Sequence, residues 1–521
     1  MRLPSSEPLL QNRLDIHDRK QFEIKLEYQP SRTDPTSKYL VETWLFLPSS
    51  LNVDAETYPR QDFYADLHNY IRLKTPVLTL EEITTASHSP LVKLEKRVIG
   101  PPVGREEDVV YNAKLLSCVF RGALRRFEQQ VDDRCNLLEN VPGCTSETIE
   151  SPIRESMKRV REILTRFRGL VPQLAEGFDL QEKTKASLRL VDEYLSLSLE
   201  QFFRKTVTDM DALPRSGTFI ELRKEMMAEV INEETYRKQS KLRSVISPTG
   251  DNEEYMHRIG FLKKFCMNIL FLSARREERR RNWEEVLFAM AAGIAMAFAT
   301  VVALWAQTRF PQVSLNFFLI VVVGYMMKDR IKEGLRRIFS TVALKHLYDR
   351  ATAIVDPVTK HRLGLLREKV DYFPPTNVPD DVKKLRATDD FVTVSQGELS
   401  ESVIRYQKQI ALNSELLPRA DDGVTGVTDI VRLNVDRLLR DMDDPEYALE
   451  YVDLEDFSVG RIKAAKSYQV DLVFRFTVDD GDNKKMNLQL VRLVLDRNGI
   501  KRMVRFEQKP ENVPPPVRSV A

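Results

Sequence analysis

The side chains that most often perform chemistry are sparse in this chain and lie far apart. Its six histidines are scattered, and no two have the spacing that places two metal ligands on one helix face: His17, His68, His88, His257, His346 and His361. The Walker A, G-x-G-x-x-G, H-E-x-x-H and G-x-S-x-G patterns are absent from the sequence. The sequence therefore predicts neither a bound metal nor a cofactor, and it identifies no catalytic residue.

Two acidic clusters and the cysteines have simpler interpretations than catalysis. Asp479-Asp480-Gly481-Asp482 resembles half of a calcium loop, but it lacks the alternating ligands and the distal glutamate, so we expect a hairpin turn. Asp441–Asp444 is predicted to be the solvated end of a helix and not an acid–base pair. Cys135 and Cys144 are too isolated from other ligands to indicate zinc, and reduced thiols are expected at all four cysteines: Cys118, Cys135, Cys144 and Cys266.

The strongest signal is a pair of uncharged stretches near the middle of the chain. Val286–Thr308 has 23 residues without a charge, and Phe310–Met327 adds 18 more. As helices they would be about 34 Å and 27 Å long, against a hydrocarbon core of about 30 Å. We therefore predict a transmembrane hairpin over 283–328, with spans at about 286–308 and 310–327. The alternative is a buried helical hairpin in a large soluble core.

Aromatic and basic residues orient this hairpin. Trp283 and Trp305 would lie about 33 Å apart along a helix, which suits one indole at each interface, and Tyr325 could serve the second span. Basic residues flank both spans: Arg275, Arg276, Arg279, Arg280, Arg281, Lys328, Arg330 and Lys332. The turn holds only Arg309, so the positive-inside rule predicts a two-pass protein with both termini cytoplasmic, in the inner or plasma membrane if bacterial. Anionic lipids are possible partners of the basic flanks.

Small residues recur every four positions on the first span, at Ala291, Ala295, Ala299 and Ala303. This spacing favours close helix packing, against either the second span or a second copy of the chain. The alternative is that these alanines only make the span hydrophobic and have no role in helix packing. Neither span carries an ionisable residue, which favours an anchor over an ion or proton pathway.

The fold class predicted is an α+β membrane protein in five segments. They are a small α+β unit with a β-hairpin at 1–104, a cytoplasmic helical bundle or coiled coil at 105–282, the transmembrane hairpin, a juxtamembrane helix and β-hairpin at 329–373, and a C-terminal α+β domain with an antiparallel meander and a Pro-rich tail at 374–521. In the first segment, Phe22–Tyr28 and Tyr39–Leu47 are expected to pair, and in the last, Val431–Met442 is expected to form a helix. The bundle is predicted to hold about five helices and to run almost continuously into the first span.

Composition narrows the function classes. A formal net charge of +2 gives no reason to expect nucleic acid binding, and 30% charged with 42% hydrophobic residues indicates globular soluble parts. We predict an integral membrane protein that anchors two cytoplasmic domains for assembly, scaffolding or signalling, through self-association or protein partners. The alternative is a membrane-anchored enzyme whose active site is built from dispersed residues.

Overall fold

The computed structural model describes residues 10–29, 35–99, 106–140, 147–177, 180–211, 219–277, 279–311, 314–339, 347–357, 360–387, 401–413, 423–442, 446–453, 457–480 and 483–506. Within them the fold is a mixture of helices and antiparallel sheets. The helices are α1 (Arg60–Asp66), α2 (Leu80–Thr85), α3 (Pro90–Ile99), α4 (Glu106–Asn140), α5 (Glu147–Gly177), α6 (Glu182–Asp211), α7 (Ile220–Gln239), α8 (Glu253–Met267), α9 (Arg279–Arg309), α10 (Leu315–Ile338) and α11 (Asp380–Arg386).

The strands form two large sheets and one ribbon. They are β1 (Leu10–Asp18), β2 (Gln21–Tyr28), β3 (Thr36–Pro48), β4 (Leu67–Leu73), β5 (Ser273–Glu277), β6 (Arg350–Val355), β7 (Arg362–Phe373), β8 (Glu401–Asn413), β9 (Val427–Asn434), β10 (Glu446–Val452), β11 (Val459–Ala465), β12 (Tyr468–Asp480), β13 (Asn483–Asp496) and β14 (Gly499–Phe506). The strand orders are β1-β2-β9-β4, β14-β13-β12-β3-β8-β7-β6-β5 and β10-β11.

The eight-stranded sheet joins the two ends of the chain. Its central strand β3 pairs with β8 on one side and β12 on the other, so residues near position 40 are hydrogen-bonded to residues beyond position 400. The predicted pairing of Phe22–Tyr28 with Tyr39–Leu47 is therefore wrong. A strand buried on both faces, as β3 is from Val41 to Leu47, is mostly apolar in sequence, and this pattern does not reveal its partners. The proposed domain boundaries themselves stay predictions.

The four-stranded sheet also combines distant segments. β2 pairs with β1 and β9, and β9 pairs with β4. The helix predicted over Val431–Met442 is wrong, because Val427–Asn434 is a strand and a short 3₁₀ turn follows it. Val431 and Val435 are both buried, so their four-residue spacing reflects a buried strand followed by a turn and not one helix face.

Five helices, α4 to α8, form the predicted bundle, and α6 is its most buried member. Three acids of α6 are buried, and each meets an arginine of another helix: Asp192 with Arg168 of α5, Glu193 with Arg258 of α8, and Glu200 with Arg237 of α7. These pairs fix how the surrounding helices pack, because an unpaired buried charge is costly. Pro172 lies inside α5, although proline usually ends or kinks a helix.

One hydrophobic core runs through both large sheets and the bundle. A smaller core, around Trp44, Val382 and Val473, lies between the eight-stranded sheet and α11. The predicted C-terminal meander is confirmed as β12, β13 and β14, and the predicted hairpin before residue 373 is confirmed as β6 and β7. The Pro-rich tail falls in the part of the chain that the structure does not describe.

Candidate functional site

The uncharged stretches form a helical hairpin, but its two arms differ. Among the described residues, one helix, Glu284–Arg309, is long and apolar enough to cross a membrane. The second arm begins only at Leu315, where the Ser314 side chain accepts a hydrogen bond from the Phe317 amide, and it becomes charged from Lys328. The predicted two-helix transmembrane hairpin is therefore not confirmed: Phe310 and Pro311 belong to the turn, because proline interrupts the helix.

Small residues lie where the two arms meet. Gly324 of α10 is buried, and a Cβ atom there would lie 2.9 Å from a methyl carbon of Val302 on α9. Ala291 and Ala295 are also buried, while Ala299 and Ala303 are half-buried. Glycine at position 324 thus permits the close approach of the two backbones.

The outward surface of the hairpin between Val286 and Met327 is mostly apolar, with exposed polar side chains at Thr300, Gln307, Thr308, Arg309 and Asn316. Trp305 is 54% exposed and Tyr325 is 60% exposed, while Trp283 lies in α9 but its side chain is outside the described residues. The further exposed large apolar side chains of the apolar part are Val286, Met290, Ile294, Met296, Phe298, Val301, Leu304, Leu315, Phe318, Leu319, Val322, Val323, Met326 and Met327. Helices that are apolar all round are normally covered by protein or lipid.

Both arms leave the body of the protein at one sheet edge. β5, which precedes α9, pairs with β6, which follows α10 in the chain. This strand between α8 and α9 also contradicts the predicted continuous helix from the bundle into the first span. Because β5 and β6 are neighbours in one sheet, the hairpin must begin and end on the same side of the molecule.

The basic residues predicted to set topology lie partly at this base and partly along α10. Arg275 and Arg276 lie in β5, and Arg279, Arg280 and Arg281 begin α9, although the side chains of these last three are not described. On α10, Arg330 is exposed, Lys328 and Lys332 are half-buried, and the Lys328 ammonium lies 3.7 Å from the centre of the Tyr325 ring.

A cavity of about 260 Å³ opens beside the hairpin base, between β4 and the edge of the large sheet. Glu368 lines it and accepts hydrogen bonds from Asn69 at 2.6 Å and from the Tyr406 hydroxyl at 2.5 Å. Arg276 and Arg350 also line it, and Arg350 stacks on the Tyr64 ring at 3.9 Å. The cavity can hold a small polar molecule, but its carboxylate is already engaged by two donors, and no nucleophile with an adjacent base is apparent among the lining residues.

The ribbon of β10 and β11 carries an apolar face that the sequence analysis missed. The exposed side chains of Tyr447, Leu449 and Tyr451 alternate along β10, and Ile462 lies opposite Leu449. The other face is charged, with Arg461 paired to Glu450 at 2.8 Å. The period-two alternation in Glu446–Val452 could have revealed this strand. In the described part of the chain its only strand partner is β11.

A buried ion pair joins the two sheets of the body. The Lys408 ammonium of β8 lies 2.6 Å from the Asp429 carboxylate of β9, and the Tyr28 hydroxyl of β2 donates to the same carboxylate at 3.3 Å. Burial raises the pKa of Asp429, which Lys408 opposes by favouring the charged form. Burial beside Asp429 also raises the pKa of Tyr28 well above its usual value. These groups are fully partnered, so we assign them a structural role.

Metal and thiol chemistry receive no support in the described ranges. No group of three or more His, Cys, Asp or Glu side chains there could hold a metal ion. Burial raises the pKa of both the Cys118 and the Cys266 thiols to about 12, which keeps them protonated and unreactive. Asp479 and Asp480 end β12, while Gly481, Asp482, Cys144 and the side chain of Cys135 lie outside the described residues. Searches of protein-family models, curated proteins and solved structures find no match to this chain.

Proposed function

We propose that this protein is an integral membrane protein whose hairpin, α9 and α10, anchors its folded body to a lipid bilayer and presents it for assembly with protein partners or with copies of itself. The observation that carries the proposal is the hairpin itself. Its outward surface is mostly apolar, and its two arms connect to adjacent strands at one sheet edge.

The geometry of the base supports a topology in which the whole body lies on one side. Strands β5 and β6 are hydrogen-bonded to each other, so segments before and after the hairpin cannot lie on opposite faces of a membrane. The basic flanks favour the cytoplasmic face. Two complete crossings, as the sequence predicts, or a partial insertion from one face would both satisfy this condition.

The ribbon supports the assembly role. Two-stranded ribbons are marginally stable alone in water, and this one exposes Tyr447, Leu449 and Tyr451 on a single face. An apolar face opposite a charged face is typical of a surface that binds another protein. The membrane-anchored enzyme remains the second candidate, and the cavity beside Glu368 is the observation that favours it.

Vesicle flotation tests the anchor. Val301→Asp and Val323→Asp place charges on the exposed surface of the two arms, and Ile231→Asp is a matched control, since Ile231 on α7 is 62% exposed and Val301 is 65% exposed. We expect the full-length protein and the control to float with phosphatidylcholine–phosphatidylglycerol vesicles, and the double hairpin variant to remain unbound. Equal flotation of all three would refute the anchor.

Crosslinking in native membranes tests the assembly role. Tyr447→Ser with Leu449→Ser removes the apolar face of the ribbon, and Lys463→Ser alters the charged face as the control. We expect the first variant to lose crosslinked products that the wild type and the control retain. Identical crosslinking patterns would remove the ribbon from the proposal and leave the anchor standing.

A further inference from the structure

The charged half of α10 lies beside the apolar first half of α9. Lys328 is four residues beyond Gly324, so it lies at the height of Phe298, which is four residues before Val302. The Arg336 guanidinium lies 4.9 Å from the centre of the Phe288 ring, which fixes the same register nearer the base. The segment Lys328–Arg337, which we call the collar, holds seven charged residues and runs alongside α9 from Phe298 toward Phe288.

This register is unfavourable for two complete crossings. If Val286–Thr308 filled the hydrocarbon core, Lys328 would lie at the centre of the bilayer, and the rest of the collar would lie between the centre and the head groups. If only the residues from Phe298 to Met327 entered the bilayer, Arg309 would be the single charged residue in the hydrocarbon core. Since each charge inside a bilayer is costly, the arrangement with one charge is favoured over the arrangement with several.

The length of the apolar tip agrees with partial insertion. From Phe298 to Thr308, α9 is about 16 Å long, and from Leu315 to Met327, α10 is about 20 Å long. The hydrocarbon core is about 30 Å thick, so one leaflet contributes about 15 Å. A hairpin of this length reaches slightly past the bilayer centre and does not reach the far head groups.

The described residues of the turn are suited to a dry environment. The Phe310 amide donates to the Ala306 carbonyl at 3.0 Å, the Ser314 amide donates to the Pro311 carbonyl at 3.0 Å, and Pro311 has no amide proton. Backbone groups in hydrocarbon must find partners within the protein. The turn therefore satisfies these groups without water.

Lipid fits this surface better than a protein partner does. A protein would cover one face, whereas exposed large apolar side chains lie on both arms of the tip, with Gln307, Arg309 and Asn316 as exposed polar residues near its end. The collar has five basic and two acidic residues: Lys328, Arg330, Lys332, Arg336 and Arg337 against Asp329 and Glu333. The collar therefore carries a net positive charge next to the apolar segment, and this charge is complementary to anionic lipid head groups.

We infer that the hairpin is a re-entrant anchor: Phe298–Met327 enters an anionic leaflet from the face that carries the body and returns through the same face, with the collar among the head groups. This inference rests on the proposed membrane role and specifies its depth. It places Trp305 near the bilayer centre and Met296 near the head groups, whereas two complete crossings would place them the other way round.

Depth-dependent fluorescence quenching tests the inference in the full-length protein. The first variant, Trp283→Phe, keeps Trp305 as the only hairpin indole, and the second adds Trp305→Phe and Met296→Trp. Trp44, buried in the body at 1% exposure, gives a constant signal in both. Each is bound to phosphatidylcholine–phosphatidylglycerol vesicles brominated either near the head groups or near the acyl-chain ends. Met296 is exposed, so its replacement leaves the packing of the arms intact.

We expect Trp305 to be quenched at least twofold more by deep than by shallow bromine, and the indole introduced by Met296→Trp to show the opposite order. Shallow quenching of Trp305 with deep quenching at position 296 would overturn the re-entrant anchor and establish two crossings, leaving the proposed function intact. No quenching of either indole by any vesicle would refute the membrane role itself.

Discussion

Replacing Lys408 by methionine would leave the Asp429 carboxylate buried between two sheets without its cation. In the structure Lys408 is 1% exposed and Asp429 is fully buried, so water cannot replace the lost ammonium. The Tyr28 hydroxyl, at 3.3 Å, would be the remaining side-chain donor to that carboxylate. Removing one member of a buried ion pair costs roughly 3–5 kcal/mol. With a urea dependence of about 3 kcal/mol per molar, the unfolding midpoint should fall by about 1–1.7 M.

Trp44 fluorescence provides the measurement, because Trp44 lies in β3 at the centre of the large sheet. Trp283→Phe and Trp305→Phe remove the other two indoles. Lys463→Met, at an exposed ion pair on the ribbon, is the matched control and should leave the midpoint unchanged. Adding Asp429→Leu to Lys408→Met should restore most of the loss, since an apolar pair leaves no buried charge.

The loss caused by Lys408→Met should depend on pH. Burial raises the pKa of Asp429, and without Lys408 nothing comparable opposes that rise. A carboxyl group whose folded pKa lies above its unfolded pKa stabilises the fold below the unfolded value, and this stability is lost as pH rises through the folded value. The deficit should therefore be largest at neutral pH and shrink toward acid pH. A deficit equal to that of Lys463→Met, or one that grows on acidification, would refute the role of this pair.

Three further predictions concern the hairpin and the thiols. Gly324→Leu should lower the free energy of unfolding by about 1–3 kcal/mol and lower the melting temperature, because the new side chain would collide with Val302. Gly293→Leu is the control, since nothing lies within 4 Å of its Cβ position, and it should leave the melting temperature unchanged. Equal effects of the two substitutions would refute the close contact between the arms. Arg330→Gln should weaken binding to anionic vesicles about fivefold, the loss of about 1 kcal/mol, and leave binding to neutral vesicles unchanged. Replacing Cys118 and Cys266 by serine should not change the number of thiols that react with Ellman's reagent in the folded protein at pH 8. Burial raises the pKa of both thiols to about 12, so roughly one molecule in ten thousand would carry the reactive thiolate at either position. A lower thiol count in the double variant would show that these two cysteines are accessible.

Local patterns in the sequence predict local elements well. The alternation from Tyr468 to Val478 predicts β12, and the three- and four-residue spacing of apolar residues predicts the five bundle helices. Each of these signals comes from the apolar residues on the side of one helix or strand that faces the core. They require no knowledge of what packs against that side.

Pairing between distant segments could not be read in this way. The largely apolar run of Tyr39–Leu47, interrupted by Glu42 and Thr43, is compatible with many neighbours, and its actual partners lie more than 350 residues further along the chain. For the hairpin, the sequence shows that α10 becomes charged at Lys328. The contacts of Gly324 with Val302 and of Arg336 with Phe288 show which part of α9 lies beside those charges.

The pairing of β3 with β8 and β12 also constrains the order in which parts of the protein can fold during synthesis. β3 ends at Pro48 and β8 begins at Glu401, so at about 5–20 residues per second β3 waits roughly 20–70 s for its first partner. The hairpin leaves the ribosome during that interval. Its exposed apolar side chains must therefore be shielded while the large sheet is still incomplete, and under the proposed membrane role, insertion into the membrane during translation would precede folding of the body.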